Sequence, residues 1–334
     1  MKRFPALIPF IVGLVLLAVP ARADDLPTLN VYTYSSFASD WGPGPVIKKA
    51  FEADCACHLA FVTAEDGVVL LSRLRLEGAG SKADIVLGLD TNLTAEAAAT
   101  GLFAPAGVDL SALKLPIAWD DKDFVPFDYG YFAFEYDKTK LPDPPKSMAD
   151  FVAGKPDAKF LIEDPRSSTP GLGLLLWIKE IYGDGAADAW RKLKSRVLTV
   201  SKSWDEAYGL FLKGEAPLVL TYTTSPAYHI IEEKKTQYEV EDFPEGHYLQ
   251  VEVAGMPAHA PHPDLARKFL AFMVTAKFQD AIPETNWMYP VTDVTGGLPS
   301  AFPPQPAKTL LIPSAEVAQH RKAWIDEWLG AMGQ

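Results

Sequence analysis

The chain has little of what usually announces chemistry. Two cysteines and six histidines are spread over 334 residues. There is no G-x-S-x-G elbow, no H-E-x-x-H pair and no P-loop, so the common signatures of acyl transfer, zinc hydrolysis and nucleotide hydrolysis are missing. A Ser-His-Asp set is spatial and leaves no signature of its own, and nothing points to one. His259 and His262 stand in a Pro-rich loop, 258–263, and read as solvent-exposed rather than as metal ligands. His229 follows Tyr228 in a helical stretch with no evident partner. Positive charge is also short, 31 Lys and Arg against 43 Asp and Glu. Such an acidic surface argues against nucleic acid and anionic membrane as partners and favours a cationic ligand.

Long apolar runs are confined to the N-terminus. Lys2 and Arg3 precede an apolar stretch from Ala6 to Val19, broken by Pro9 and Gly13, and Ala21-Arg22-Ala23 is a small-x-small cleavage site. The expectation is an exported chain cleaved after Ala23, its formal charge moving from −12 to −15 as Lys2, Arg3 and Arg22 leave. No cysteine follows the cleavage site to carry a lipid, and no later segment reaches the roughly 20 apolar residues that span a bilayer. The mature chain is expected to be soluble and not membrane-anchored. Its cysteines, Cys55 and Cys57, are one residue apart. In an oxidising compartment a disulfide is one reading; two free thiols on one strand face, or a metal pair, are the others.

What is there is a repeated strand–turn–helix grammar. Leu29–Tyr34, His58–Thr63 and Ala83–Leu89 read as strands, with helical spacing in Pro45–Ala53 and an amphipathic helix Gly67–Leu74 capped by Asp66. Val125–Asp137 is longer, aromatic and extended, with Gly130 inside. The pattern then restarts: helix from Ser147, strand Lys159–Glu163, helix at Pro170, strand Val197–Val200, helix from Trp204, strand Pro217–Tyr222, helix from Pro226. His247–Val253 is a second extended run, and Asp264–Val274 and Ser314–Met332 are terminal helices. Trp177, Trp190, Trp324 and Trp328 lie on helix faces among apolar neighbours and read as core. Alternation of this kind predicts an α/β fold with mainly parallel sheets. Two lobes joined by two extended crossing strands make a hinged clam-shell with its ligand cleft at strand ends and helix starts.

Several turns share that position. Asp164–Gly173 runs from a strand end into a helix with Ser168 or Thr169 at the N-cap and Pro170 at the first helical position. A helix start presents free N–H groups and attracts anions. Tyr34, Trp41, Asp66, Trp204, Tyr222 to Ser225, Tyr228 and Trp287 occupy comparable turns, and Asp90 follows the third strand. If they face one cleft, it holds Tyr and Trp rings, carboxylates and hydroxyls. That suits a flat aromatic ligand with a cationic end and, at the other end, a phosphate.

Val31–Tyr34, Asp40–Pro45, Phe124–Gly130, Ser168–Gly173, Thr221–Tyr228 and Asn286–Pro290 closely resemble the thiamine-binding proteins of bacterial ABC transporters, in order along nearly the whole mature chain and including the Cys-x-Cys pair. Ser35 departs from that pattern, which has Asp there. The resemblance implies the type II periplasmic-binding-protein fold, with residues 24–125 as the first part of lobe 1, 126–250 as lobe 2, and 251–334 as the return crossing and the completion of lobe 1. It implies thiamine, thiamine monophosphate and thiamine diphosphate as transported ligands rather than cofactors. It further implies an inner-membrane permease with a cytoplasmic ATPase as partner, a periplasmic monomer and no enzymatic activity. Carried over by position, Asp66, Gly67, Ser168, Thr169, Trp204, Tyr222, Thr223, Thr224 and Ser225 contact the ligand, and Tyr34, Trp41, Tyr228 and Trp287 line the same cleft. A ferric-ion or oxyanion binder of the same fold, and an exported phosphate-ester hydrolase, are the rival expectations.

Overall fold

The computed structural model describes residues 26–155 and 158–333, so the expected leader, 1–23, and its cleavage site lie outside the described residues. The first α/β stretch comprises β1 (Thr28–Tyr34), the single turn α1 (Ser35–Ala38), α2 (Gly44–Cys55), β2 (His58–Ala64), α3 (Gly67–Glu77), β3 (Ile85–Asp90), α4 (Thr94–Ala98) and the short β4 (Phe103–Ala104). β5 (Phe124–Asp137) leads into α5 (Met148–Ala153), β6 (Phe160–Glu163), α6 (Thr169–Tyr182), α7 (Ala186–Leu193), β7 (Val197–Ser201), α8 (Trp204–Leu212), β8 (Leu218–Tyr222), α9 (Ser225–Tyr228) and β9 (Tyr238–Val240). β10 (His247–Pro257) returns, followed by α10 (Pro263–Met273), α11 (Ala276–Gln279), α12 (Ile282–Thr285), β11 (Tyr289–Pro290), β12 (Thr309–Leu310) and α13 (Ser314–Met332).

Local chemistry explains where the helices begin. Asp66, Ser147, Ser168 and Ser203 are N-caps whose side chains accept a backbone N–H of the first turn. α6 starts at Thr169, so Pro170 is its second residue, where a missing N–H is equally harmless. From Leu172 to Ile178 α6 is buried on every side, and Trp177, Trp190 and Trp328 are core residues. Trp324 differs: it is half-buried, stacked by His320 at 5.4 Å, because α13 lies across the surface and only one of its faces is covered.

The strands follow one path, β2-β1-β3-β10-β5-β8-β6-β7. Its two flanks, β2-β1-β3 and β8-β6-β7, are parallel, as strand–helix alternation requires. The centre corrects the expectation of mainly parallel sheets, since β3, β10, β5 and β8 pair antiparallel. The reason is that β5 and β10 are the crossings, and the second must run back against the first. β5 pairs with β10 from Phe124 to Tyr131, then with β8 from Phe132 to Tyr136, so one strand belongs to two lobes. All fourteen of its residues are buried. Within it, Gly130 lets the flanking chain pass, for a Cβ there would come within 2.7 Å of Met288 Cε. Beside β10 both neighbours carry one extra residue, Phe127 on β5 and Gly88 on β3, and Glu252 stands opposite Asp128 on β5 and Asp90 on β3. Cys55 and Cys57 form a disulfide around Ala56 at the end of α2, settling the three readings of that pair.

Candidate ligand-binding cleft

The helix starts of both lobes converge on one carboxylate. Asp66 caps α3 through Gly67 N (2.6 Å). Its Oδ1 also accepts from Thr169 N, the first residue of α6, and its Oδ2 from Trp204 N, the first of α8, both at 3.2 Å. Three helix N-termini therefore aim their unpaired N–H groups and dipoles at a single anion. Burial nevertheless pushes the Asp66 carboxyl above its ordinary value, against those hydrogen bonds. Gly67 is required for this approach, because a Cβ would overlap the Gly88 carbonyl and Thr169 Oγ1. The anion-attracting start of α6 is thus met by a side chain from the opposite lobe.

Aromatic side chains flank this clasp. Trp204 stacks on Tyr208 (4.8 Å, 18°) and donates from Nε1 to Thr221 Oγ1 (2.9 Å). Trp41, from the turn after α1, faces Trp204 across the cleft with ring centroids 6.4 Å apart. Tyr228 meets Trp287 edge-on at 5.4 Å. Trp287 follows α12 in the left-handed region (φ +57), the helix-ending position usually given to glycine, and this turn aims the indole at Tyr228. Tyr222 donates to Gln250 Oε1 (2.9 Å) and lies against Phe132.

Where the crossings meet, acids gather without a cation. Tyr34 donates to Glu252 Oε2 (2.8 Å), and Asn286 Nδ2 donates to Asp128 Oδ2 (2.6 Å) and to the Tyr34 oxygen (3.2 Å). Glu252 and Asp128 are directly opposite in register and both buried. Burial first, and then each other's charge, raises the Glu252 carboxyl, and burial raises Asp128. Two adjacent buried carboxyls resist ionising together.

These groups enclose a cavity of about 610 Å³. Tyr34, Trp41, Asp66, Thr169, Trp204, Tyr222, Ser225, Tyr228 and Trp287 line it, so most of the residues singled out in sequence share one wall. Gly67, Ser168, Thr223 and Thr224 do not line it. Gly67 and Ser168 stand behind it as the helix start and cap described above, and the Thr223 and Thr224 hydroxyls are buried without a partner. Asp90 is also behind the wall, capping its own turn at Asn92. Glu65, Tyr208, Glu232, Glu252 and Glu284 line the cavity and were not singled out. A lone Glu in the apolar alternation of β10 was a legible signal for Glu252; the others had none. Among the described residues no Lys, Arg or His lines the cavity. His229 corrects an expectation, because it has partners: Tyr208 Oη at 2.8 Å, brought to it by folding, and Glu233 Oε2 at 2.7 Å, four residues on in its own turn.

A two-lobed α/β frame around a ring-lined cleft defines a solute-binding protein. The chain belongs to the bacterial extracellular solute-binding protein family, whose family model matches residues 46–280. It is 59% identical over 92% of its length to the thiamine-binding periplasmic protein of Escherichia coli (strain K12), 94% of which is covered. A solved structure of a periplasmic thiamin binding protein superposes with a TM-score of 0.91 at 58% identity, over 95% of this chain and 99% of that one. Iron-bound HitA from Pseudomonas aeruginosa shares the fold alone, at a TM-score of 0.75 and 21% identity over 90% of this chain and 99% of that one. These relatives are binding proteins, and this chain is one of them rather than an enzyme.

Proposed function

We propose that the chain is a periplasmic thiamine-binding protein that captures thiamine, thiamine monophosphate and thiamine diphosphate and delivers them to an inner-membrane ABC permease with its cytoplasmic ATPase. The observation that carries this reading is the make-up of the cavity wall: rings from both lobes, acidic side chains throughout and, among the described residues, no cationic one. A thiazolium ring is a delocalised cation on a flat frame. Trp204, Tyr228 and Trp287 offer faces for it, each cation–π contact contributing roughly 0.5–2 kcal/mol. An aminopyrimidine needs acceptors for its amino group, and Glu252 and Asp66 supply them. Ferric ion suits the wall less well, because the described residues hold no converging group of three or more His, Cys, Asp or Glu side chains.

Capture proceeds by bending at β5 and β10, with residues 24–125 and 251–334 moving against 126–250. Closure brings Asp66 to the starts of α6 and α8, and a phosphate-bearing ligand competes with it for Thr169 N and Trp204 N. Thr169 Oγ1, buried on the wall without a partner, is a donor for that phosphate. The protein works as an exported monomer after cleavage at Ala23. Among the described residues no helix is long and apolar enough to cross a membrane. Titration with thiamine, followed by tryptophan fluorescence, tests the reading. Saturable quenching at micromolar ligand is expected, and its absence would overturn the assignment.

A further inference from the structure

Behind the ring wall of lobe 2 runs a buried polar chain that the proposed ligand contacts leave unused. Tyr208 lines the cavity and stacks under Trp204, while its hydroxyl lies 2.8 Å from Glu135 Oε2 on β5 and 2.8 Å from His229 Nε2. His229 Nδ1 reaches Glu233 Oε2 at 2.7 Å, and Glu233 pairs with Lys235 at 3.1 Å. Glu135 and His229 are both fully buried. His229 and Glu233 are the two ends of one π-helical turn (His229–Glu233) that follows α9, a widened turn found often at functional sites. The rings stack in series: Trp204 on Tyr208, Tyr208 on His229 (6.1 Å, 23°), and His229 against Tyr238 at 4.1 Å.

The hydrogens of this chain can be counted. Tyr208 has one and faces two acceptors. Every link is made when Glu135 carries a proton and donates it to the Tyr208 oxygen. Tyr208 then donates to His229 Nε2, and His229 Nδ1–H to the Glu233 carboxylate. Burial supplies both conditions, pushing Glu135 up to about 8 and His229 below its ordinary value. The ring of Tyr208 is therefore held from behind by two hydrogen bonds whose far ends are anchored in β5 and the π turn.

We propose that Glu135 and His229 are positioning residues of the ligand cleft: through the Tyr208 hydroxyl they set the tilt of the Tyr208–Trp204 platform on which a flat ligand ring rests. The proposal rests on the solute-binding reading of the cleft. It also explains why a buried acid and a buried imidazole sit beside a ring stack that apolar side chains could fill.

The test compares thiamine affinity with thermal unfolding in three variants of the mature chain. In the triple variant Glu135→Leu, Tyr208→Phe, His229→Phe every ring or its bulk is kept and the polar chain is removed. A buried polar network replaced by apolar groups of similar volume commonly keeps or gains stability. The expected result is an unchanged or higher melting temperature with affinity about tenfold weaker, the size of two net hydrogen bonds. Glu135→Gln keeps a donor for the Tyr208 oxygen and should bind within about twofold of wild type. Tyr208→Phe alone, which keeps the ring and serves if the triple variant does not fold, should bind about fivefold weaker. Wild-type affinity in the triple variant or in Tyr208→Phe overturns the proposal, because the network is then only filler. Glu135→Gln losing as much as Tyr208→Phe overturns it as well. No thiamine binding by the wild type overturns the solute reading and this proposal with it, whereas wild-type binding shared by every variant overturns this proposal alone.

Discussion

The two faces of the cleft are built from different materials. Lobe 1 and the crossings bring acids: Glu65, Asp66, and the Glu252–Asp128 pair with Tyr34 and Asn286 around it. Lobe 2 brings the starts of α6 and α8 and the stack of Trp204 on Tyr208. Rings stand on both, Trp41 and Trp287 against Trp204 and Tyr228; what separates the faces is buried carboxyls on one and oriented N–H groups on the other. Across the gap Asp66 accepts from two helices of the other lobe, and Glu65 pairs with Lys202 at 2.6 Å. On the proposed reading closing and recognising are one event, because the groups offered to the ligand are also the groups that join the lobes.

Changing all the acids together is the hardest blow to this division. Asp90, Asp128, Glu135, Glu163 and Glu252 are raised by burial, Asp90 to about 7 and Glu135 to about 8. A carboxyl raised in the fold keeps a proton that the unfolded chain releases. Its stabilising effect is complete below about pH 4 and is lost as pH rises toward the folded value, at about 1.4 kcal/mol per pH unit for each proton retained. The two lowered histidines, His229 and His247, act in the opposite sense but are outnumbered. The melting temperature should therefore fall between pH 5 and pH 8, and Glu135→Gln should flatten that slope by one proton. A melting temperature that is level or rising over this range would show that these carboxyls are not raised in the fold.

Removing a ring tests the aromatic half. Trp287→Ala should weaken thiamine by about 2–3 kcal/mol, the loss of a central aromatic anchor, read by fluorescence of the remaining tryptophans. Asp66→Asn tests the link between the faces. It removes the anion from three helix starts and should weaken thiamine by about 1–2 kcal/mol. It should cost the monophosphate less, because the competing charge is gone; equal losses would show that phosphate does not visit those helix starts. The smallest effect should come from Thr169→Val, about 1 kcal/mol on phosphorylated ligands and little on thiamine, measured by parallel titrations. Ser168→Ala, a change behind the wall, should lower the melting temperature and affect all three ligands alike.

How much of this was legible in sequence follows from the range of each interaction. The caps Asp66, Ser147, Ser168 and Ser203 act on N–H groups within three residues, so their helices could be read locally. The long, aromatic, extended run Val125–Asp137 could be read as a crossing strand from its length, and β5 is buried along all fourteen of its residues. Most wall residues were found because strand–turn–helix units place their turns at one end of a sheet. What stayed hidden is tertiary. Asp66 accepts from residues 103 and 138 positions away, and the facing of Glu252 and Asp128 depends on a register set by a bulge. Two of the groups around His229, Glu135 and Tyr208, come from β5 and α8, while Glu233 lies in its own turn, a helix widened to a π turn that no residue pattern announces.

The left-handed backbone of Trp287 has one more consequence. A bulky residue held at φ +57 costs on the order of 1–3 kcal/mol that glycine would not incur. The best residue for folding and the best residue for gripping a ring are therefore different at this position. Any pressure toward heat resistance alone would favour Gly or Asn there and empty the wall, so the tryptophan persists only as long as cargo matters more than hardiness.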